Sequence, residues 1–260
     1  MSYLSQKVPA TRRPVQSGFT LIEIMISLVI ALFLIGGLVT ILTHNRATYA
    51  MQQQLAQLQD GERLAMTMIT NVVETAGYFP NPLLNSAAAS MPASARFATA
   101  GTPVIIGTAG VTPQGDSVTV RYAPALNDNT YNCQGGRNTT TAPSDSWENT
   151  FSVQVNAAGV SQLVCTFWSA STNANVTVPL VSGVTRLALG YGVQTAGGGT
   201  GTCTDTYKTA AQMAAADWAN VCSVAVTLTF TNPTNTAGGT QPTVTFTRVI
   251  ALMLTAGANS

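Results

Sequence analysis

The spacing of hydrophobic and polar positions divides the chain into three regimes. Residues 18–42, GFTLIEIMISLVIALFLIGGLVTIL, are almost continuously apolar, and no charged residue falls between Glu23 and His44. Roughly 20 helical residues cross a bilayer core about 30 Å thick, so this run predicts a transmembrane helix. Beyond Leu42 the composition turns polar while a helical period continues. Leu55, Leu58, Met66 or Ala65, Ile69, Val72 or Val73, and Ala76 recur at steps of three and four, which makes one amphipathic stripe. Gly77 followed by Pro80 and Pro82 predicts the stop, because glycine suits the residue after a helix and prolines cannot continue one. Gly36, Gly37 and Gly61 are weak points in this stem, each costing about 1 kcal/mol relative to alanine. Close helix packing and a local melting point account equally for the pair at Gly36 and Gly37.

From residue 117 the period shortens to two. Val118, Val120 and Tyr122 alternate with Thr119 and Arg121, the pattern of a half-buried strand. Similar runs cover 151–155, 162–167, 176–181, 186–191, 221–230 and 244–254. The last two flank the linker NPTNTAGG and read as an antiparallel pair with a long loop. Strict alternation puts Arg248 on the apolar side of its strand, which calls for a bulge or a partner. Residues 85–102, rich in Ala and Ser and without a period, predict a loop or short helix, and 210–220 predict a short helix between Cys203 and Cys222. The fold class that follows is α+β: a long N-terminal helix, transmembrane in its first half, packed on an antiparallel β-sheet head. The segments are 1–18 as a leader, 19–42 as the transmembrane helix, 43–77 as its amphipathic continuation and 78–260 as the head.

The edge of the apolar run carries the chemistry. Residues 1–18 contain Lys7, Arg12 and Arg13 and no acid, which sets them on the cytoplasmic side and the head outside. A secretory signal is cut after its apolar segment; a cut before it keeps the helix in the mature chain. One carboxylate, Glu23, stands at the start of the run. An acid in a first helical turn gains about 0.3 to 1 kcal/mol from the helix dipole, which explains Glu23 without further role. A cut after Gly18 would instead leave Phe19 as a new N-terminus with an α-amino cation one turn from Glu23. In a dry setting the two charges would neutralise each other within a chain or between stacked copies, and removing either would strand the other.

Gly18, Phe19, Thr20, Leu21, Ile22 and Glu23, followed by the apolar helix, resemble the class III signal of type IV prepilins and type II secretion pseudopilins. The resemblance implies a pilin-like fold, cleavage after Gly18 by a prepilin peptidase, methylation at Phe19 and subunit docking through Glu23. Four later stretches, 63–79, 115–122, 180–184 and 217–221, are similar to PilW-type minor pilins, which are themselves similar to the J-type pseudopilin of type II secretion. What this implies is a minor pilin that primes or caps a type IV pilus, supporting twitching, adhesion or DNA uptake. Its partners would be other minor pilins, the major pilin, the peptidase and inner-membrane lipid. A type II secretion pseudopilin and a surface-binding adhesive module are the alternatives. The implied location is the bacterial inner membrane with the head in the periplasm, then the pilus at the cell surface.

Composition narrows the chemistry further. Charged residues make up 8% of the chain and the formal net charge is +1, so there is no basic field to hold nucleic acid directly. The four cysteines, Cys133, Cys165, Cys203 and Cys222, all follow the membrane segment, where an even count favours disulfides. Three connectivities are possible; closure between sequence neighbours, Cys133 with Cys165 and Cys203 with Cys222, leaves no crossing topology to satisfy. A zinc site would need all four thiolates gathered from distant positions without a histidine. The single histidine, His44, lies at the end of the apolar run, which leaves the head without a Ser-His-Asp or Cys-His arrangement and predicts no enzyme. Asn127, Asp128 and Asn129, with Asp145 and Glu148, could offer oxygens to calcium, but they lack the EF-hand spacing and Asx turns explain the same residues. The glycine runs at 197–199 and 238–239 lack a phosphate-binding context and read as loops, so no cofactor or metal is expected. Tyr131, Trp147, Trp168 and Trp218 could form an adhesive surface, although a sheet-rich head places most such residues in its core.

Overall fold

The computed structural model describes residues 18–111, 113–140, 145–194, 203–232 and 242–253. Lys7, Arg12, Arg13 and the glycine runs at 197–199 and 238–239 lie outside them. The chain forms two units, divided between Gln52 and Gln53.

The first unit carries the N-terminal part of helix α1 (Leu21–Glu74), which continues through Gly36 and Gly37 without interruption. Its apolar side chains are exposed, Phe33 to 80% and Leu34 to 69%. The helix is long and apolar enough to cross a membrane. Its hydroxyls are turned inward: Ser27, Thr40, Thr43 and Thr48 donate to the carbonyls of Glu23, Gly36, Thr40 and His44 at 2.7 to 3.0 Å. Such back-bonding satisfies the side chain where no water is available to do so.

In the second unit the remainder of α1 supplies one apolar face. Ala65, Met66, Ile69, Val72, Val73 and Ala76 are buried, so both members of each alternative pair in the stripe are used. Gly77 adopts φ 76° and donates its N–H to the Arg121 carbonyl at 2.9 Å, ending the helix and tying that end to the sheet. The short helix α2 (Ala87–Ser90) follows, capped by the Ser86 hydroxyl.

The head contains two antiparallel sheets where the sequence pattern suggested one. Strands β1 (Ile105–Thr108), β2 (Ser117–Tyr122), β3 (Trp147–Val155), β4 (Ser161–Ser169) and β5 (Ala174–Ser182) follow one another across the first sheet. Strands β6 (Val184–Val193), β7 (Thr206–Lys208), β8 (Val221–Thr231) and β9 (Thr243–Ala251) make the second, in the order β7-β6-β8-β9. The change of sheet takes one residue, Gly183, at φ 84°. Its N–H donates to Ser161 of the first sheet at 2.8 Å, and its carbonyl accepts from Thr231 of the second at 2.9 Å. That left-handed conformation is open to glycine at no steric cost. A second junction lies at the start of β2, where Asp116 N–H donates to the Leu187 carbonyl at 2.7 Å and the Asp116 carboxylate accepts from Leu189 N–H at 2.9 Å. Residues of α1, of the first sheet (Val118, Phe151, Leu163) and of the second (Leu187, Val224, Leu228) form one hydrophobic cluster.

Disulfides join Cys133 to Cys165 and Cys203 to Cys222. Both pairs close loops between sequence neighbours, 32 and 19 residues apart; loops of this size correspond to about 3 to 4 kcal/mol of stabilisation each in the chain-entropy picture.

Three local expectations are corrected. Residues 210–220 form two 3-10 turns, Ala210–Gln212 and Asp217–Asn220, in place of one short helix. The Asp217 carboxylate accepts from Ala214 N–H at 2.8 Å and from Lys208 at 2.8 Å, which closes the chain between the turns. Arg248 has no bulge beside it and, among the described residues, no partner, since the β8–β9 register runs unbroken and the side chain is exposed on the outer strand. The third correction is Arg121, which the alternation assigned to a solvated face and which is 1% exposed. Segment 91–103 covers that face, and the guanidinium donates to the carbonyls of Pro103 (2.8 Å), Thr99 (2.7 Å) and Pro92 (3.3 Å). It also lies 4.5 Å from the centre of the Phe97 ring. Burial lowers its pKa to about 10, with Glu148 opposing that shift.

Arg121 therefore holds a whole segment in place. Arg121→Leu leaves three carbonyls without a donor and is expected to destabilise the head by about 3 kcal/mol. Urea denaturation of the purified chain should show the loss; a midpoint equal to wild type would mean that segment 91–103 is held by other contacts.

Candidate functional site

Two places carry chemistry: the start of α1 and the outer face of the first sheet. At the start of α1, Gly18, Phe19 and Thr20 precede the helix, and the N–H groups of Glu23 and Ile24 both donate to the Thr20 carbonyl, at 3.1 and 3.3 Å. The local polar neighbour, Ser27, takes the Glu23 carbonyl and not its side chain. Among the described residues the Glu23 carboxylate forms no ion pair; the two salt bridges, Arg96–Glu148 and Lys208–Asp217, are both in the head. Phe19, 77% exposed, lies four positions before Glu23. Among the described residues this leaves an uncompensated carboxylate at the head of an apolar helix, one helical turn from the residue that a cut after Gly18 would expose.

His44 is on α1 in the first unit, and the head has no histidine to activate a nucleophile. The oxygen-rich residues considered for calcium are taken up separately. Asp128 accepts the Tyr78 hydroxyl at 2.7 Å. Asp145 accepts from the Trp147 indole (2.9 Å), the Ser169 hydroxyl (2.5 Å), and the Ser171 N–H (3.0 Å) and hydroxyl (2.8 Å). Glu148 accepts from Ser94 and from Arg96 at 3.0 Å. Each carboxylate has protein donors of its own, and no group of three metal-ligating side chains occurs among the described residues. All four cysteines are in disulfides.

The outer face of the first sheet holds a row that the sequence pattern did not show. Strand register sets Arg121 opposite Glu148, Glu148 opposite Trp168 and Trp168 opposite Asn175, so β2 to β5 place a cation, an anion, an indole and an amide side by side. Segment 91–103 covers the first two. The last two border a hollow with Ser94, Arg96, Glu148 and Asn173. Only cross-strand register brings these residues together, which is why spacing along the chain gave no signal. Of the four aromatics considered above, Trp147 alone is fully buried; Trp218 packs edge-on against Tyr191 at 4.8 Å, and Trp168 and Tyr131 keep exposed surface.

Residues 150–249 match the family model described as type IV pilus-assembly protein W, and residues 13–39 match the prokaryotic N-terminal methylation motif. The first match runs from β3 into β9, and the second covers the start of α1. No curated protein matches the chain.

The tyrosines give the head a pH dependence. The Asp128 hydrogen bond, with burial and the Asp128 charge adding to it, pushes the Tyr78 hydroxyl up to about 12 from 10.0; burial raises Tyr122 and Tyr191 as well. A group that holds its proton more tightly when folded stabilises fully below its unfolded pKa and loses that contribution as pH rises through the folded value. Stability should therefore fall between pH 10 and 12, and Tyr78→Phe should make that fall shallower. Thermal melts of both proteins across this range decide the point; parallel curves would mean that Asp128 does not hold the Tyr78 proton.

Proposed function

We propose that the chain is a type IV pilin-like minor pilin of the PilW type, which the two family matches support, and that it primes or caps pilus assembly in complex with other minor pilins. Its prepilin-like N-terminus and long apolar helix anchor it in the inner membrane before it joins a pilus. In this reading residues 1–18 are a leader that the prepilin peptidase removes after Gly18, and Phe19 becomes the methylated N-terminus. Residues 19–42 span the lipid, 43–77 continue the stem and 78–260 form the head, which meets neighbouring minor and major pilins and catalyses nothing. The pilin family is structural, and the head's lack of a histidine accords with that.

The observation that carries the proposal is Glu23. An unpaired carboxylate at the edge of an exposed apolar helix is costly wherever water is excluded, and a neighbouring subunit's N-terminal amine at the same depth would compensate it. The pair would fix the axial position of one helix against the next. Breaking it costs about 3 to 5 kcal/mol in a dry setting.

Intact mass should show a mature chain that begins at Phe19. Glu23→Ala should insert and be cleaved normally, yet fall at least about tenfold in sheared fibres. Normal incorporation would reduce Glu23 to a helix-dipole residue. The priming role has its own test: a strain lacking this chain should make major pilin while displaying few or no pili. The full-length chain should also co-purify with another minor pilin at low and high salt, because so little of the contact can be ionic. Normal piliation together with no pilin partner would remove the assembly role.

A further inference from the structure

We propose that the hollow on the outer face of the first sheet binds a neutral saccharide, with one pyranose ring stacked on Trp168 and its hydroxyls on Arg96, Asn173 and Asn175. Such binding goes beyond pilus assembly and is independent of Phe19 and Glu23.

The fold does not require a tryptophan at this position. Trp168 follows the core-packed Phe167 on β4 and points to the opposite face, where the neighbouring row is the threonine pair Thr166–Thr177, joined through their hydroxyls at 2.8 Å. Its indole N–H is already engaged, donating to Asn173 Oδ1 at 3.2 Å, so the ring offers a ligand its apolar π face. Asn173 sits in the β4–β5 turn at φ 49°, a left-handed conformation that asparagine tolerates, and its side chain thereby holds the ring in place.

The rim is polar and already fixed. Arg96 donates to Glu148 Oε2 at 3.0 Å and to Asn175 Oδ1 at 3.1 Å, and Glu148, only 2% exposed, also accepts from Ser94. These bonds order the side chains before any ligand arrives, which reduces the entropy lost on binding. They also use the acceptor oxygens of both asparagines. The amide N–H groups of Asn173 and Asn175 and the unused guanidinium N–H groups of Arg96 remain as donors, and each asparagine oxygen keeps a second lone pair as an acceptor.

Apolar platform and surrounding donors together select the ligand class. A pyranose presents a C–H face to the ring and hydroxyl and ring oxygens to the rim, as concave sites of this kind require. Charge selects within that class. Arg96 is paired with Glu148, and Arg121 on the other side of Glu148 is buried on three backbone carbonyls and does not line the hollow, so no free cation faces a ligand carboxylate or phosphate there, and the buried Glu148 disfavours a second anion.

The test uses the full-length chain in a zwitterionic detergent without a sugar headgroup. The probes are N-acetylglucosamine oligomers, which represent cell-wall glycan, and oligosaccharides ending in galactose or mannose, which represent cell-surface glycan. Sialyllactose beside lactose gives the charge comparison. Tryptophan emission and saturation-transfer NMR should show at least one neutral probe binding with a Kd of about 1 mM or tighter, and the arm that responds identifies the source. Trp168→Ala should abolish the response, and Asn175→Ala should weaken it about tenfold, the loss of roughly one charge-free hydrogen bond at a preorganised site. Sialyllactose should bind no better than lactose. Trp168 is partly exposed, so its variant is expected to melt with wild type; should it fail to fold, Asn175→Ala decides alone. No binding by any neutral probe, an unchanged response in Asn175→Ala or Trp168→Ala, or a preference for the sialylated sugar would overturn the proposal.

Discussion

One helix face has to serve two sheets, and the head depends on that constraint. Ala65, Met66, Ile69, Val72, Val73 and Ala76 share a cluster with residues of both sheets, and each of the larger side chains contributes about 1.5 to 3 kcal/mol by leaving water. A stripe that fed a single sheet would need one residue at each helical step. Here adjacent pairs, Ala65 with Met66 and Val72 with Val73, are buried together, which widens the face enough to meet strands on two sides. The face must also stop at a fixed point. Gly77 ends α1 and bonds to the Arg121 carbonyl of β2, so the helix register and the first sheet are set against each other.

The long helix was legible in the sequence because its period, its apolar run and its glycine-proline stop are all local. The strands were legible for the same reason, with β1 and β7 missed because four and three residues are too few to show a period. What was hidden is everything that alternation along one strand cannot encode. Alternation does not say how many sheets a set of strands forms, and the change of sheet rests on a single glycine between β5 and β6. Nor does it say what covers a polar face: Arg121 reads as solvated, yet a segment with no period of its own lies over it. At the start of α1 the candidate residues Gly18, Phe19 and Glu23 were readable from adjacency alone, whereas the row from Arg121 to Asn175 exists only through register.

These two kinds of site differ in energetic logic. The Glu23 carboxylate is unpaired among the described residues, so its environment is completed only by something outside them. The outer-face network is the reverse: Glu148, Arg96, Asn175, Asn173 and Trp168 satisfy one another, and what remains open is an aromatic face with donors around it. An unpaired charge in an apolar setting demands a partner of opposite sign. A hollow whose charged groups are already paired demands none and therefore selects by shape and hydrogen bonding.

The same contrast explains Arg248, the residue that strict alternation placed on an apolar face. The outer strands protect the sheets by different means. Strands β1 and β7 are short, and β5 carries Pro179 and pairs with β4 across a register shift. Strand β9 has none of these: nine residues pair with β8 in unbroken register, and among the described residues nothing pairs with its other side. Long, regular outer strands with apolar faces recruit further strands unless a charge intervenes. Arg248 lies between Phe246 and Ile250 on one face, and a strand or sheet approaching there would have to desolvate a guanidinium that forms no ion pair among the described residues. In a chain with so few charges, an arginine in line with the apolar residues of β9 keeps the head's most regular edge from pairing indiscriminately.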